Sequence, residues 1–183
     1  MLAYKGFEKG LICRGYQFKM GLNTTDKAHC VRYGFHCAEN PLDCLSYYPN
    51  TSTSVYFVVD AGGDVDEDNC DSKISSTELN IIKELSLKEL ILHGIAYMEK
   101  YPQREWNSRV NEDRARASNG YAISRGVNPI ATGDKIGDIL AMVKESDDGK
   151  EIKQMAFATV DGKDILPGIW YDVDLKARKA GWL

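Results

Sequence analysis

The chain lacks an apolar run long enough to cross a membrane. Its longest such run, residues 55–59, is far shorter than the roughly twenty apolar residues that a membrane-spanning helix takes. Charged side chains also interrupt the N-terminal segment, which excludes the apolar centre of a signal peptide. We therefore expect a protein that does not enter the membrane and is located in the cytoplasm.

The chain also lacks an excess of basic residues. Lysine and arginine number 23 against 27 aspartate and glutamate residues, which gives a net charge of −4. This balance argues against nucleic-acid binding by the surface as a whole, although a local basic patch is compatible with it. An acidic protein of this kind can dock onto a basic groove of another protein.

Paired cysteines of the C-x2-C type, which turn a chain around zinc, are absent as well. The five cysteines are an odd number and are expected to be reduced thiols. Cys30, Cys37 and Cys44 recur every seven residues near His29 and His36, but this spacing favours core thiols over a metal site. A Cys/His nucleophile would lack an orienting carboxylate. We expect no metal, no cofactor and no catalytic residue, and the pattern favours a protein that is not an enzyme.

What is present indicates an α+β fold. The pattern predicts an N-terminal lobe of short strands with two capped helices over residues 1–101 and a polar, arginine-rich connector over 102–119. A small antiparallel β-sheet is predicted over 120–183. Exposed strand edges in that sheet permit a homodimer.

Capping and turn residues locate the predicted elements. Asn40 and Pro41 indicate the start of a short helix over residues 41–48. Ser86 and Glu89 form the capping-box pattern of a longer helix. The predicted strands cover residues 55–59, 73–84, 136–145, 151–160 and 169–173.

The connector carries the candidate basic contacts, which are Arg104, Arg109, Arg114 and Arg116. Their spacings of five, five and two residues spread them around a helix at ~100° per residue, so they do not form one stripe. Acidic side chains accompany them, which favours a salt-bridged exposed helix or a mobile linker. Contact of these arginines with DNA phosphates is the alternative.

An acidic segment over residues 64–71 contributes Asp64, Asp66, Glu67, Asp68 and Asp71. The segment begins like a calcium loop, but Asn69 stands where such a loop requires glycine, and Ser75 where it requires a bidentate glutamate. The pattern therefore indicates a solvated negative surface or a surface that docks onto a basic partner and imitates phosphates.

An enzymatic hypothesis accompanies these surfaces. The chain follows the residue order of an ADP-ribosyltransferase-like NAD site. This order consists of Arg14 on an early strand, Ser52 in a Ser-Thr-Ser run, and a later Glu78 or Glu84. The arginine would hold the phosphates of NAD, and the glutamate would stabilise an oxocarbenium-like transition state. Because the Glu-x-Glu element is missing, an NAD-using transferase is the second hypothesis.

Several motifs carry a resemblance to a known family. They lie at residues 4–7 (Tyr-Lys-Gly-Phe), 13–18 (Cys-Arg-Gly-Tyr-Gln-Phe), 34–48, 84–86, 117–124, 160–163 (Val-Asp-Gly-Lys) and 169–171 (Ile-Trp-Tyr). Together they resemble an uncharacterised family common in bacteriophage and mobile-element genomes. Family members typically have a longer Gly/Ala/Ser-rich repeat region, of which residues 117–124 look like a remnant.

The resemblance implies a setting and no activity. In mobile elements, small acidic proteins often inhibit host defence, and type II anti-CRISPR proteins of similar length are the specific comparison. On this basis we expect a non-enzymatic inhibitor that binds a host defence protein, namely a type II CRISPR effector nuclease with its guide RNA or its DNA-bound complex. The third hypothesis is a phage structural or interaction module, which the stacked repeats of family members favour.

Overall fold

A computed structural model of the chain describes residues 1–29, 32–67 and 72–179. The chain divides into two compact units, Met1–Gly94 and Ile95–Leu183. Each unit is built around its own β-sheet within the described residues.

The N-terminal unit is dominated by an antiparallel sheet that its described residues form from seven strands. Its elements are β1 (Leu2–Glu8), β2 (Ile12–Cys13), β3 (Tyr16–Gln17), β4 (Gly21–Thr24), β5 (Phe35–Ala38), α1 (Asp43–Tyr47), β6 (Ser54–Glu67) and β7 (Lys73–Leu85), and α2 (Leu87–Lys100) begins in this unit and ends in the next. Strand β1 pairs with β2, β5 and β6, and strand β7 pairs with β4, β5 and β6.

Aromatic side chains fill the core of this unit. Phe7 meets Phe18 and Phe57 edge to face, with ring centroids 5.1 and 5.6 Å apart, and Phe18 meets Phe35 at 4.9 Å. All four rings are buried. Such pairs stabilise a core by ~0.5–1.5 kcal/mol each beyond the apolar area they bury.

The predicted short helix is present as α1, although it begins two residues later than expected, at Asp43. Asn40 acts just before the helix, where its side-chain oxygen accepts a hydrogen bond from the backbone N–H of Leu42 at 3.1 Å. Leu42 in turn packs against Gly94, where any side chain would collide with it.

The predicted capping box of α2 is confirmed. The backbone N–H of Glu89 donates to the hydroxyl of Ser86 at 3.2 Å, and the backbone N–H of Ser86 donates to the carboxylate of Glu89 at 2.9 Å. The two residues thereby satisfy two helix-terminal donors that would otherwise lack intrahelical partners.

Glu89 makes the capping box sensitive to pH. Hydrogen bonds from Lys83 and from Ser86 lower the pKa of this carboxyl from 4.5 to about 2. Because the folded pKa lies below the unfolded one, the stabilisation is complete above the unfolded pKa and is lost as the pH falls toward the folded value. We expect E89Q to be less stable than the wild type at neutral pH and the difference to vanish near pH 2. Urea denaturation across this range measures it, with E99Q as the control, and a pH-independent difference would contradict it.

The C-terminal unit contains a sheet that its described residues form from six strands. The strands are β8 (Asn111–Arg116), β9 (Tyr121–Thr132), β10 (Ile139–Glu145), β11 (Ile152–Thr159), β12 (Trp170–Tyr171) and β13 (Ala177–Arg178). Strand β9 pairs in parallel with both β8 and β10, whereas β11, β12 and β13 are added antiparallel. The predicted antiparallel sheet is therefore wrong in part, because this sheet is mixed.

Successive segments β8, β9 and β10 stack in parallel. Tyr121 lies opposite Ile139, and Ala115 lies opposite Ala131. This stacking of consecutive stretches of one chain resembles the coils of a β-solenoid.

The expected α+β class is wrong, because the fold is mostly β. Strands account for 50% of the residues and helices for 11%, with two helices in the described chain. Three segments contribute to the difference. The polar segment predicted as a helix or linker contains strand β8, and the acidic segment predicted as a loop continues strand β6 to Glu67. Residues 121–132, which lie outside the predicted strands, form β9.

Candidate functional site

Three of the acidic residues predicted from the sequence, Asp64, Asp66 and Glu67, lie on strand β6, which pairs with β7 within the sheet. Asp64 and Glu67 are exposed and Asp66 is half-exposed, whereas Asp68 and Asp71 lie outside the described residues. Exposed Asp60 and Glu78 extend the same charge along these two strands. We call Asp60, Asp64, Asp66, Glu67 and Glu78 the acidic ribbon.

Local contacts hold the acidic ribbon in shape. The N-terminal ammonium group donates to the carboxylate of Asp60 at 2.8 Å, and His29 lies 3.8 Å from the carboxylate of Asp66. The backbone N–H of Asp64 donates to the hydroxyl of Thr77 on the neighbouring strand at 2.8 Å. The carboxylates are thus presented on paired strands, which fix their spacing better than a loop would.

The connector arginines do not form the predicted salt-bridged helix. Residues 111–116 are strand β8, in which side chains alternate between faces. Arg114 and Arg116 therefore share one face, and their guanidinium carbons lie 5.0 and 5.7 Å from the centre of the Trp170 ring. We call Arg114, Arg116 and Trp170 the Arg–Trp patch.

The other two arginines make separate contacts. Arg104 stacks over Tyr101 at 4.8 Å and donates to the hydroxyl of Tyr97 at 2.6 Å. Arg109 is half-buried, and its Nε has no hydrogen-bond partner among the described residues. Burial raises the pKa of Tyr121, and the positive charge of Arg109 partly offsets this rise.

A cavity of about 390 Å³ opens in the N-terminal unit. Lys5 and Glu8 of β1, Arg14 of the β2–β3 turn, His36 of β5 and Lys73 of β7 line its wall. Three of these five groups are cationic and one is a carboxylate, so the wall carries a net positive charge while His36 is neutral. Burial first, and then the charges of Lys5, Lys73 and Arg14, lower the pKa of His36, which keeps its imidazole neutral at neutral pH.

Lys5 is the least usual group of this wall, because a lysine is seldom buried without an acidic partner. Its side chain is 4% exposed. Its ammonium group donates to the backbone carbonyl of His36 at 2.6 Å, lies 3.7 Å from the sulfur of Cys13, and lies over the rings of Phe7 and Phe18. Within the described chain these contacts are all to uncharged groups.

Arg14 reaches the cavity from a two-residue hairpin turn. Arg14 and Gly15 have φ values of 49° and 79°, and Cys13 pairs with Tyr16 across the turn. Such a turn requires positive φ at both central residues and ordinarily takes Asn-Gly. An arginine in this conformation carries a steric cost that a glycine would not.

The cysteines behave mainly as core groups. Cys37 and Cys44 are buried, and Cys13 is half-buried and accepts a hydrogen bond from the hydroxyl of Tyr48 at 3.0 Å. Cys30 and Cys70 lie outside the described residues. Burial raises the pKa of the Cys44 thiol, which makes it a poor nucleophile. No group of three or more His, Cys, Asp or Glu side chains in the described chain is arranged to hold a metal ion.

The residues predicted for an NAD site are not gathered around Arg14. Ser52 lies in an exposed turn, where its hydroxyl donates to the side chain of Asn50 at 2.7 Å. Glu78 and Glu84 lie on β7, opposite Gly62 and Phe57. The cavity wall contains Arg14 and none of the other three. The sequence predicted Arg14 as a candidate binding residue. It did not indicate that Lys5, His36 and Lys73 line the same cavity, because they come from separate strands.

Both units are β-rich, and the N-terminal unit carries both the acidic ribbon and the cavity. The chain belongs to the family described as Domain of unknown function (DUF7666), whose model matches residues 1–93. The match ends one residue before the boundary of the N-terminal unit, so the family corresponds to that unit. No curated protein and no solved structure matches the chain. Neither helix of the described chain is long and apolar enough to cross a membrane.

Proposed function

We propose that the protein is a non-enzymatic inhibitor that acts in the cytoplasm by binding a bacterial defence nuclease. The nuclease is an RNA-guided type II effector, bound either with its guide RNA or as the complex with target DNA. The observation that carries this proposal is the acidic ribbon, a set of exposed carboxylates on paired strands. The resemblance to mobile-element proteins supports the host-defence setting.

Electrostatics make the acidic ribbon a fitting partner for such a nuclease. RNA-guided effectors hold the guide–target heteroduplex in a positively charged channel and recognise its backbone more than its sequence. The carboxylates of the acidic ribbon resemble the negative charge of a nucleic-acid backbone, which such a channel binds. Complementary charge also speeds the encounter of two proteins and fixes their register.

The Arg–Trp patch supplies a second contact suited to the DNA-bound complex. Arginine side chains neutralise phosphates, and an aromatic face accepts an unpaired base by stacking. The guanidinium groups of Arg114 and Arg116 both lie near the Trp170 ring, although Arg116 also pairs with Asp134. This patch is local, so it is compatible with the net charge of −4.

Two modes of inhibition follow from these surfaces. The acidic ribbon occupies the nucleic-acid channel, or the bound protein blocks the conformational step that licenses cleavage after the target has paired.

A homodimer is part of the proposal, because β11 is an edge strand that pairs only with β10 among the described strands.

Binding to purified effector tests the proposal. The protein is mixed with the effector alone, with the effector and guide RNA, and with the effector, guide and target DNA, and each mixture is separated by size-exclusion chromatography. We expect co-elution with at least one of the two guide-loaded forms, whereas an unrelated nuclease of similar charge serves as the control. If the protein elutes alone in every mixture, the proposal fails.

A further inference from the structure

We propose that the cavity of the N-terminal unit binds a small organic phosphate of the size of a nucleoside monophosphate. The inference is independent of the proposed inhibition, because it concerns the cationic wall and not the acidic ribbon. It rests on the charge of the wall, the burial of Lys5 and the shape of the cavity.

The cationic side chains converge from three parts of the fold. Lys5 comes from β1, Arg14 from the β2–β3 turn and Lys73 from the first residue of β7. Among the described residues that line the wall, Glu8 contributes the only carboxylate, so the cavity favours an anionic occupant. Lysine and arginine act together in phosphate sites, since arginine offers a planar fork of donors and lysine a compact positive charge.

The buried ammonium group of Lys5 is the strongest indication of an anion. Burying a charge is unfavourable unless an opposite charge or several hydrogen bonds compensate it. Within the described chain, the ammonium group of Lys5 contacts one carbonyl, one thiol and two aromatic rings, and no carboxylate is among these contacts. A phosphate oxygen in the cavity would supply the missing opposite charge.

The dimensions of the cavity indicate an organic group beside the phosphate. A volume of about 390 Å³ corresponds to roughly a dozen water molecules at ~30 Å³ each, far more than an inorganic phosphate fills. Three tyrosines, Tyr4, Tyr47 and Tyr48, contribute to the wall and provide aromatic surface. At Gly6 a side chain would collide with the ring of Tyr48, so glycine at this position keeps that ring against the sheet.

Isothermal titration of the full-length protein with nucleoside monophosphates, inorganic phosphate and the uncharged nucleosides tests the inference. We expect at least one nucleoside monophosphate to bind, inorganic phosphate to bind at least ~10-fold more weakly, and the nucleosides not to bind, because each lacks one part of the interaction. The absence of heat with every nucleoside monophosphate, or equal affinity for inorganic phosphate, would overturn the assignment.

Variants separate a binding role from a structural one. R14Q removes an exposed cation of the wall and is expected to weaken binding at least ~10-fold while the melting temperature stays unchanged. K19Q, an exposed lysine of the same unit outside the wall, is the matched control and should bind like the wild type. K5M is expected to abolish binding with only a small change of the melting temperature, because removing a buried charge that has no acidic partner among the described residues offsets the loss of the hydrogen bond to the carbonyl of His36. Wild-type affinity in R14Q or a large loss of stability in K5M would contradict the inference.

Discussion

Reversing the charge of the acidic ribbon is expected to abolish tight binding to the effector. In the triple variant D64K/E67K/E78K, three exposed carboxylates become cations, which would face the basic channel in the proposed complex. Juxtaposed like charges are unfavourable by several kcal/mol, and each ~1.4 kcal/mol changes affinity tenfold. We therefore expect the affinity for the guide-loaded effector to fall by about 100-fold or more, as measured by surface plasmon resonance.

A matched control distinguishes the acidic ribbon from net charge. The variant E99K/E105K/D147K changes the net charge by the same amount through exposed residues of the C-terminal unit, and its affinity should fall much less. Binding of the wild type should also weaken as salt is raised, through slower association. Equal losses in the two triple variants would contradict a specific role of the ribbon.

The second large effect concerns stability. Arg125 and Glu145, both nearly fully buried, form an ion pair in the C-terminal unit, with a hydrogen bond of 2.7 Å from Nε to the carboxylate. Arg125 also donates to the carbonyl of Pro102, and its guanidinium lies 5.0 Å from the centre of the Trp106 ring. R125M leaves a buried carboxylate without its partner, and we expect it to lower the free energy of unfolding by ~3–5 kcal/mol.

The double variant isolates the reason for this loss. R125M/E145M removes both charges and should recover much of the stability, because a buried ion pair is often replaced by apolar residues at little net cost. Recovery remains incomplete, since the carbonyl of Pro102 still loses its donor. Urea denaturation monitored by far-ultraviolet circular dichroism measures all variants. A loss below ~1 kcal/mol in R125M would show that water reaches the carboxylate.

Local signals in the sequence predicted local structure well. The capping box at Ser86 and Glu89 depends on residues three positions apart, and it forms as predicted. The strand predicted over residues 73–84 is β7, and the predicted hairpin of β10 and β11 is present. In each case the pattern of a single segment determines the element.

Elements that depend on distant partners could not be predicted in the same way. Residues 111–116 have no apolar periodicity, and they form a strand because β9 pairs with them in parallel. The strand predicted over residues 55–59 is too short, because β6 continues through Gly62 and Gly63, at an irregularity of register, to Glu67. Backbone hydrogen bonds to β7 continue the strand beyond these glycines, and a sequence pattern does not reveal such bonds.

The candidate sites were predictable only in part. The acidic residues and the arginines were visible as charged clusters, but the alignment of Arg114 with Arg116 required the strand. The cavity gathers side chains from distant segments, so Lys5 and Lys73 gave no common signal. Arg125 was also missed, because arginines are rarely buried and its partner is distant in sequence.

Cleavage of target DNA by a guide-loaded type II effector tests the central claim most directly. The protein is titrated into the reaction before and after target DNA is added, in parallel with D64K/E67K/E78K. The account predicts that the wild type suppresses cleavage as its concentration rises and that the ribbon variant does not. Unchanged cleavage at saturating excess of the wild-type protein, in both orders of addition, would contradict it.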